Sequence, residues 1–169
     1  LSHLTAPCSD ACPVHLDIPA YVELVKERKL KEAAALLRER NALPGVCGKV
    51  CVRPCEFNCR RLLLDESICI KAIKRHIIEY EIGHGQPRDL TCGAPVREQK
   101  VAIVGAGPAG IAAAFYLGRR GYPVTIFEAL PEGGGMAAVG IPDYRLPRDF
   151  LNYEIDVVKS YGVAITYGT

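Results

Sequence analysis

Six of the chain's eight cysteines fall into two groups with a fixed interval, CSDAC at Cys8 and Cys12 and CGKVCVRPCEFNC at Cys47, Cys51, Cys55 and Cys59. An interval of four places neighbouring members on one face of a helical turn. Pro13 and Pro54 restrict the backbone beside them and help to set the bends that loops around an inorganic centre require. Thiolates at short fixed intervals suit an iron–sulfur cluster. A zinc site would take four of them, although structural zinc is usually held by paired cysteines with a matching second pair. Unligated core cysteines are the third reading, and spacing alone leaves all three open.

The 169 residues are 49% hydrophobic and 24% charged, which suits one or two globular domains. Lysine and arginine balance the acids, 15 against 13 before Lys100 and 6 against 6 from there on, so no basic face is available for a phosphate backbone and nucleic acid is excluded as a partner. The uncharged stretch from Val101 to Gly118 approaches the length of a membrane span, but Gly105, Gly107, Pro108 and Gly110 divide it into strand, turn and helix. No basic segment followed by an apolar core opens the chain, so we expect a cytoplasmic protein with free thiols rather than disulfides. Leu1 at the start, and an end at Gly168-Thr169 just past a predicted strand, read as a piece of a longer polypeptide.

Residues 1–82 read as a helical domain, 83–99 as a Gly- and Pro-containing linker, and 100–169 as the N-terminal, incomplete part of a βαβ domain. Asp17 is placed to cap a helix with Pro19 in its first turn and Tyr21, Leu24 and Val25 along one side. Leu30, Ala33, Ala34 and Leu37 mark a second helix over 29–40. Ala72, Ile73, His76, Ile77 and Tyr80 mark a third over 68–82, which makes His76 a packed core histidine. Cys69, between isoleucines, is expected to be buried, and Cys92 falls in the linker. Helices this short bury a thin core, so such a domain usually needs a metal or cluster.

From Lys100 the pattern changes to a strand over 101–104, a small-residue helix over 108–120, a strand over 123–128, a helix over 150–161 and a strand over 163–167. The fingerprint VAIVGAGPAG sits at the first strand-to-helix turn. Gly105 permits the turn, Gly107 lets a pyrophosphate approach the backbone, and Gly110 lets the helix pack on the strand, with Pro108 and Ala109 opening the helix toward the phosphates. Glu128, eighteen residues after Gly110, is placed to accept hydrogen bonds from an adenosine ribose, and its charge would repel a 2′-phosphate. The site therefore suits FAD or NAD rather than NADP.

CSDACPVHLDIPAYVELV, NALPGVCGKVCVRPCEFNCRR, LLLDESICIKAIKRH and KVAIVGAGPAGIAAAFYLGRRGYPVTIFEALPEGGGMAAVGIPDYRLP, in that order, resemble the module shared by the glutamate synthase small subunit, the N-terminal part of dihydropyrimidine dehydrogenase and the larger subunit of NADH-dependent ferredoxin:NADP oxidoreductase. The resemblance covers nearly the whole chain. It implies an α-helical domain holding two 4Fe-4S clusters, followed by the start of an α/β Rossmann-like domain that binds FAD. It assigns Cys12, Cys51 and Cys55 to one cluster and Cys8 and Cys59 to the other. In that family the second of these takes two further upstream cysteines, where this chain has His3 at the nearer position and no residue at the farther. The first takes a glutamine or glutamate where this chain has Lys74, whose ammonium has no lone pair to offer. Cys47 is the substitute ligand at hand, so one cluster or two remain open. The resemblance also makes Gly134, Gly135, Met136 and Arg145 flavin-side residues.

The function expected is that of an iron–sulfur flavoprotein module in an NAD(P)H oxidoreductase, passing electrons between NAD(P)H, FAD and 4Fe-4S clusters to a partner subunit or ferredoxin. No side chain need act as a catalytic acid, base or nucleophile, because the cofactors carry the chemistry. These residues alone are expected not to oxidise a nicotinamide. Lys49, Arg53, Arg60 and Arg61 surround the thiolates and would offset their charge or dock an acidic partner. The alternative is a zinc-stapled scaffold without redox activity.

Overall fold

The computed structural model describes residues 5–85 and 94–169 and divides into two compact units, one on either side of Gly85. His3, Cys92 and residues 86–93 of the expected linker lie outside the described residues.

The first unit is helical: α1 (Pro7–Asp10), α2 (Ile18–Lys26), α3 (Leu30–Arg40), α4 (Pro44–Val50), α5 (Pro54–Phe57), a 3-10 turn at Arg60–Leu63, and α6 (Ile70–His84). Asp17 caps α2 by accepting the Ala20 N–H at 3.1 Å, and Ser9 Oγ accepts the Ile18 N–H at 3.2 Å, which ties α1 to the start of α2. The core is built from Leu16, Ile18, Tyr21, Ala34, Leu37 and Ile77. Helix α6 packs against α2, α3, α4 and α5 and so organises the unit.

The buried face of α6 differs from the one its apolar residues suggest. Ile70, Lys74, Ile77, Ile78 and Glu81 point inward, and His76 is exposed. The helix is turned by about one residue, roughly 100°, from the expected orientation. The cause is an ion pair. Arg38 on α3 and Glu81 on α6 are each 1% exposed at the side chain, with Arg38 Nε donating to Glu81 Oε1 at 2.9 Å and Nη2 donating to Oε2 at 3.0 Å. A buried charge needs such a partner, and satisfying Glu81 turns His76 outward. Cys69, expected inside, is exposed at the N-cap of α6, where the neighbouring Ile70 takes the buried position.

The second unit contains β1 (Val101–Val104), α7 (Pro108–Gly118), β2 (Val124–Glu128), α8 (Met136–Val139), α9 (Arg148–Lys159) and β3 (Val163–Tyr167). The strands form a parallel sheet in the order β1-β2-β3, with Val101 opposite Val124 and Val124 opposite Val163. Helices α7 and α9 cover it with Ile111, Ala114, Phe115, Leu151, Ile155 and Val158. On β1 and β2, Val104 and Phe127 are exposed. Among the described residues no helix is long and apolar enough to cross a membrane.

Breaking a buried ion pair leaves the other charge unpaired. Arg38→Ala or Glu81→Ala is expected to lower the unfolding free energy of the helical unit by about 3–5 kcal/mol, whereas an Arg38→Met, Glu81→Leu double variant should recover most of the loss. Urea titration followed by far-ultraviolet circular dichroism measures both.

Candidate functional sites

In the helical unit, Cys12, Cys51 and Cys55 line one pocket together with Tyr21, Arg53 and Lys74. The thiols arrive from three places: the turn after α1, the C-cap of α4 and the first turn of α5. Left-handed backbone makes two of these turns. His15, three residues after Cys12, has φ 48°, and its N–H donates to the Cys12 carbonyl at 2.8 Å. Arg53, two residues after Cys51, has φ 56°, and its N–H points at Cys51 Sγ at 3.3 Å. Each such non-glycine conformation costs on the order of 1–3 kcal/mol and persists only where the surroundings enforce it. Pro54 helps at the second, since a residue before proline is kept out of the right-handed helical region.

Glu56 fastens α5 to α6. It is buried, its Oε1 accepts the Lys71 N–H in the first turn of α6 at 2.9 Å, and its Oε2 lies 3.5 Å from Arg53 Nη1. A carboxylate at a helix N-terminus is favoured by the helix dipole, so the contact holds Cys55 at a fixed height beside α6.

Two further polar side chains that line this pocket, Tyr21 and Lys74, are buried. Tyr21 is 1% exposed and its hydroxyl has no hydrogen-bond partner. Burial first, then the thiols of Cys55, Cys12 and Cys8, hold this hydroxyl in its protonated form far above the usual phenol range. Lys74 is 7% exposed, and its positive charge acts on the Cys55 thiol. Burial pushes Cys55 up to about 11, Lys74 works against that rise, and Cys12, Cys51 and Glu56 add to it. A thiol gives up its proton when it ligates a metal.

Among the described residues, no group of three or more His, Cys, Asp or Glu side chains is placed to hold a single metal ion. A cubane distributes its ligands over separate irons and therefore needs thiolates that face a common space rather than a common point. Three thiols around a pocket, with an amide directed at one sulfur, fit that need.

Cys47, Cys8 and Cys59 do not line this pocket. Cys47 Sγ lies 3.9 Å from Asn41 Oδ1. Cys8 is on α1, which packs against α5, and the buried Cys59 precedes the 3-10 turn. The surrounding cations largely have local partners: Lys49 with Glu79 at 3.1 Å, Arg53 with Glu56, and Arg61 in a forked pair with Asp65 at 2.8 Å. Arg60 is exposed.

In the second unit the turn after β1 carries the glycine fingerprint. Gly105 has φ 92°, and Gly107 is the N-cap of α7 with Pro108 and Ala109 following. A Cβ on Gly110 would collide with the Gly105 carbonyl, which is the close packing that position requires. No atom lies within 4 Å of a Cβ built on Gly107, so that position is open for a ligand's approach. Glu128 ends β2, buried, with Oε2 accepting the Ala106 N–H at 2.6 Å and Oε1 accepting the Leu130 N–H at 2.9 Å. A carboxylate has about four lone-pair sites, so capacity is left for a ribose hydroxyl.

The GGGM loop docks on this turn. Gly134 N–H donates to the Ala106 carbonyl at 2.7 Å, and a Cβ on Gly135, where φ is 49°, would stand 2.9 Å from Gly107 Cα. Met136 is 70% exposed at the start of α8, and Arg145 is exposed on the following turn. Arg148, which the sequence reading passed over, reaches the Ala137 carbonyl at 3.5 Å and Asp143 at 3.3 Å, fixing α8 to α9.

Residues 2–86 match the family model described as dihydropyrimidine dehydrogenase domain II, 4Fe-4S cluster, and residues 103–158 match an NAD(P)-binding Rossmann-like domain. The chain is 52% identical over 167 residues to the NADPH-Fe(3+) oxidoreductase subunit beta of Geobacter sulfurreducens, covering 98% of this chain and 25% of that protein. It is 48% identical over 186 residues to the NADP(+)-dependent formate dehydrogenase subunit beta of Moorella thermoacetica, covering 98% of this chain and 26% of that protein. With the NAD-dependent dihydropyrimidine dehydrogenase subunit PreT of Escherichia coli it shares 40% identity over 166 residues, 95% of this chain and 39% of that protein. The chain thus spans about a quarter of the length of the first two relatives.

The two fingerprint glycines should separate by phenotype. Gly110→Ala is expected to cost about 1–3 kcal/mol of stability through overpacking against backbone, while Gly107→Ala should melt like the parent. For Glu128, the Leu130 N–H first and the Ala106 N–H second hold the carboxyl below the usual carboxylate range, against the effect of burial. A depressed value contributes stability that is present above the unfolded-state pKa of about 4.3 and is lost as pH falls through the lower folded-state value. Glu128→Gln should therefore melt earlier at neutral pH and lose less on acidification below about pH 4.5, a difference visible in thermal denaturation at a series of pH values.

Proposed function

The chain belongs to the dihydropyrimidine dehydrogenase domain II, 4Fe-4S cluster family, and from that footing we propose that it is the iron–sulfur and flavin end of a longer NAD(P)H-dependent oxidoreductase subunit. The observation that carries this reading is the convergence of Cys12, Cys51 and Cys55, from three separate segments, on one pocket. Cys8 and Cys59 would contribute to a second cluster, with Cys47 in reserve.

The βαβ unit would hold FAD. Gly105, Gly107 and the start of α7 would receive the pyrophosphate on main-chain N–H groups, and Glu128 would take the adenosine ribose. The buried charge of Glu128 disfavours a 2′-phosphate, so the NADP(H) in the names of two relatives would bind elsewhere in a longer chain. Gly134, Gly135 and Met136, fastened to the fingerprint turn, and Arg145 beyond them would line the flavin side.

When bound, FAD exchanges two electrons with a nicotinamide, and a 4Fe-4S cluster passes them on singly. The chain's residues bind, orient and shield these groups. A partner subunit or ferredoxin would complete the path, in keeping with the subunit names of the relatives. Val52, Phe57, Leu63 and Leu64, each more than 70% exposed and close in sequence to Cys55 and Cys59, offer apolar groups for such a contact.

The test is anaerobic purification of the chain, with iron, acid-labile sulfide and zinc measured per polypeptide and a visible spectrum on the same sample. Equal iron and sulfide, about four each for one cubane or about eight for two, is the expected result. Zinc without sulfide would replace this reading with a stapled scaffold.

A further inference from the structure

The pocket of Cys12, Cys51 and Cys55 has three thiols where a cubane ordinarily takes four ligands. The buried polar side chains on its wall beside the thiols, Lys74 and Tyr21, are not ligands as they stand. Lys74 presents an ammonium with three donors and no lone pair. Tyr21 presents a hydroxyl that is 1% exposed and has no partner in the protein. A buried hydroxyl without a partner is unfavourable, so a pocket that keeps one suits a filling that accepts its hydrogen bond.

We propose that Lys74 and Tyr21 are positioning and tuning residues for a cluster held by Cys12, Cys51 and Cys55, placing a positive charge and a hydrogen bond beside its sulfurs without serving as iron ligands. This rests on the iron–sulfur reading of the pocket.

The reasoning is electrostatic. Three thiolates and the inorganic sulfides give the filled pocket a net negative charge that grows by one on reduction. A fixed positive charge and hydrogen bonds to sulfur stabilise the more negative state, which raises the potential. Arg53 N–H, directed at Cys51 Sγ at 3.3 Å, acts in the same sense from the main chain. Arg53's own guanidinium faces Glu56 at 3.5 Å, and of the two lysines that line the pocket, Lys71 and Lys74, Lys74 is the buried one and the one whose charge acts on Cys55. Lys74 lies on the inward face of α6, seven residues from Glu81, whose charge is neutralised by Arg38.

The test uses the full chain, purified or reconstituted anaerobically, in a redox titration monitored by electron paramagnetic resonance, with iron and sulfide measured on every sample. Cys12→Ala identifies the signal that belongs to this pocket. At the parent midpoint, Lys74→Met is expected to lower that signal's reduced-to-oxidised ratio about tenfold, which is 59 mV for one electron. Tyr21→Phe should lower it in the same direction by less, and both should keep the parent iron and sulfide content. Ratios within twofold of the parent in both variants, with iron retained, overturn the inference and make the two residues mere packing. If Lys74→Met loses iron, Lys74→Arg decides: restored iron with the parent ratio supports a role for charge, and continued loss overturns it. A parent chain without iron and sulfide, or with iron but no Cys12-dependent signal, overturns the reading of the pocket itself and this inference with it.

Discussion

The buried pair of Arg38 and Glu81 is the contact on which the helical unit turns. The two residues are 43 positions apart in the chain, on different helices, and meet in a forked geometry that admits one azimuth of α6. An apolar pair of equal volume would hold α3 and α6 together as firmly but would tolerate rotation. Once Glu81 is fixed, the position one heptad earlier on the same helix is fixed as well, and that position is Lys74. Glu56 secures the other end of α6 through the Lys71 N–H, and in doing so sets Cys55 against it. The thiol pocket is therefore assembled by two carboxylates that never enter it.

In the second unit, main-chain contact does the equivalent work. The fingerprint turn is closed from three directions: by Gly110 against the Gly105 carbonyl, by Glu128 on the Ala106 N–H, and by the Gly134 N–H on the Ala106 carbonyl. Ala106 is thus held through both its amide and its carbonyl and is wholly buried. A loop locked in this way presents the start of α7 without reorganisation, which is the condition for binding a pyrophosphate on backbone groups.

The sequence made most of this legible where the signal is local. The three strands, the cap at Asp17 and the helices over 30–40 and 108–118 lie within a residue or two of their expected bounds, because apolar periodicity and turn residues act over a few positions. The fingerprint was readable for the same reason. Its neighbour at Gly134 and Gly135 was reached only through resemblance, since nothing in a glycine run says which turn it will meet. The face of α6 was misjudged because its decisive residues are polar. Lys74 and Glu81 go inward on account of partners far away in the chain, and His76 and Cys69 go outward as a result. Cys47 illustrates the same limit: its interval of four from Cys51 is the interval that separates Cys51 from Cys55, yet α4 ends at Val50 and the extended backbone of Cys51 sends the two thiols to different surroundings.

The left-handed residues that follow Cys12 and Cys51 extend the demands of the pocket beyond the atoms that line it. At positions 15 and 53 a glycine or asparagine would be accommodated, whereas valine, isoleucine or threonine would clash with its own backbone. The heritable description of such a site is consequently longer than its cysteines. It includes silent positions whose permitted alphabet is set by handedness alone, and a pattern search that weighs only the thiols would accept chains that cannot close the turns.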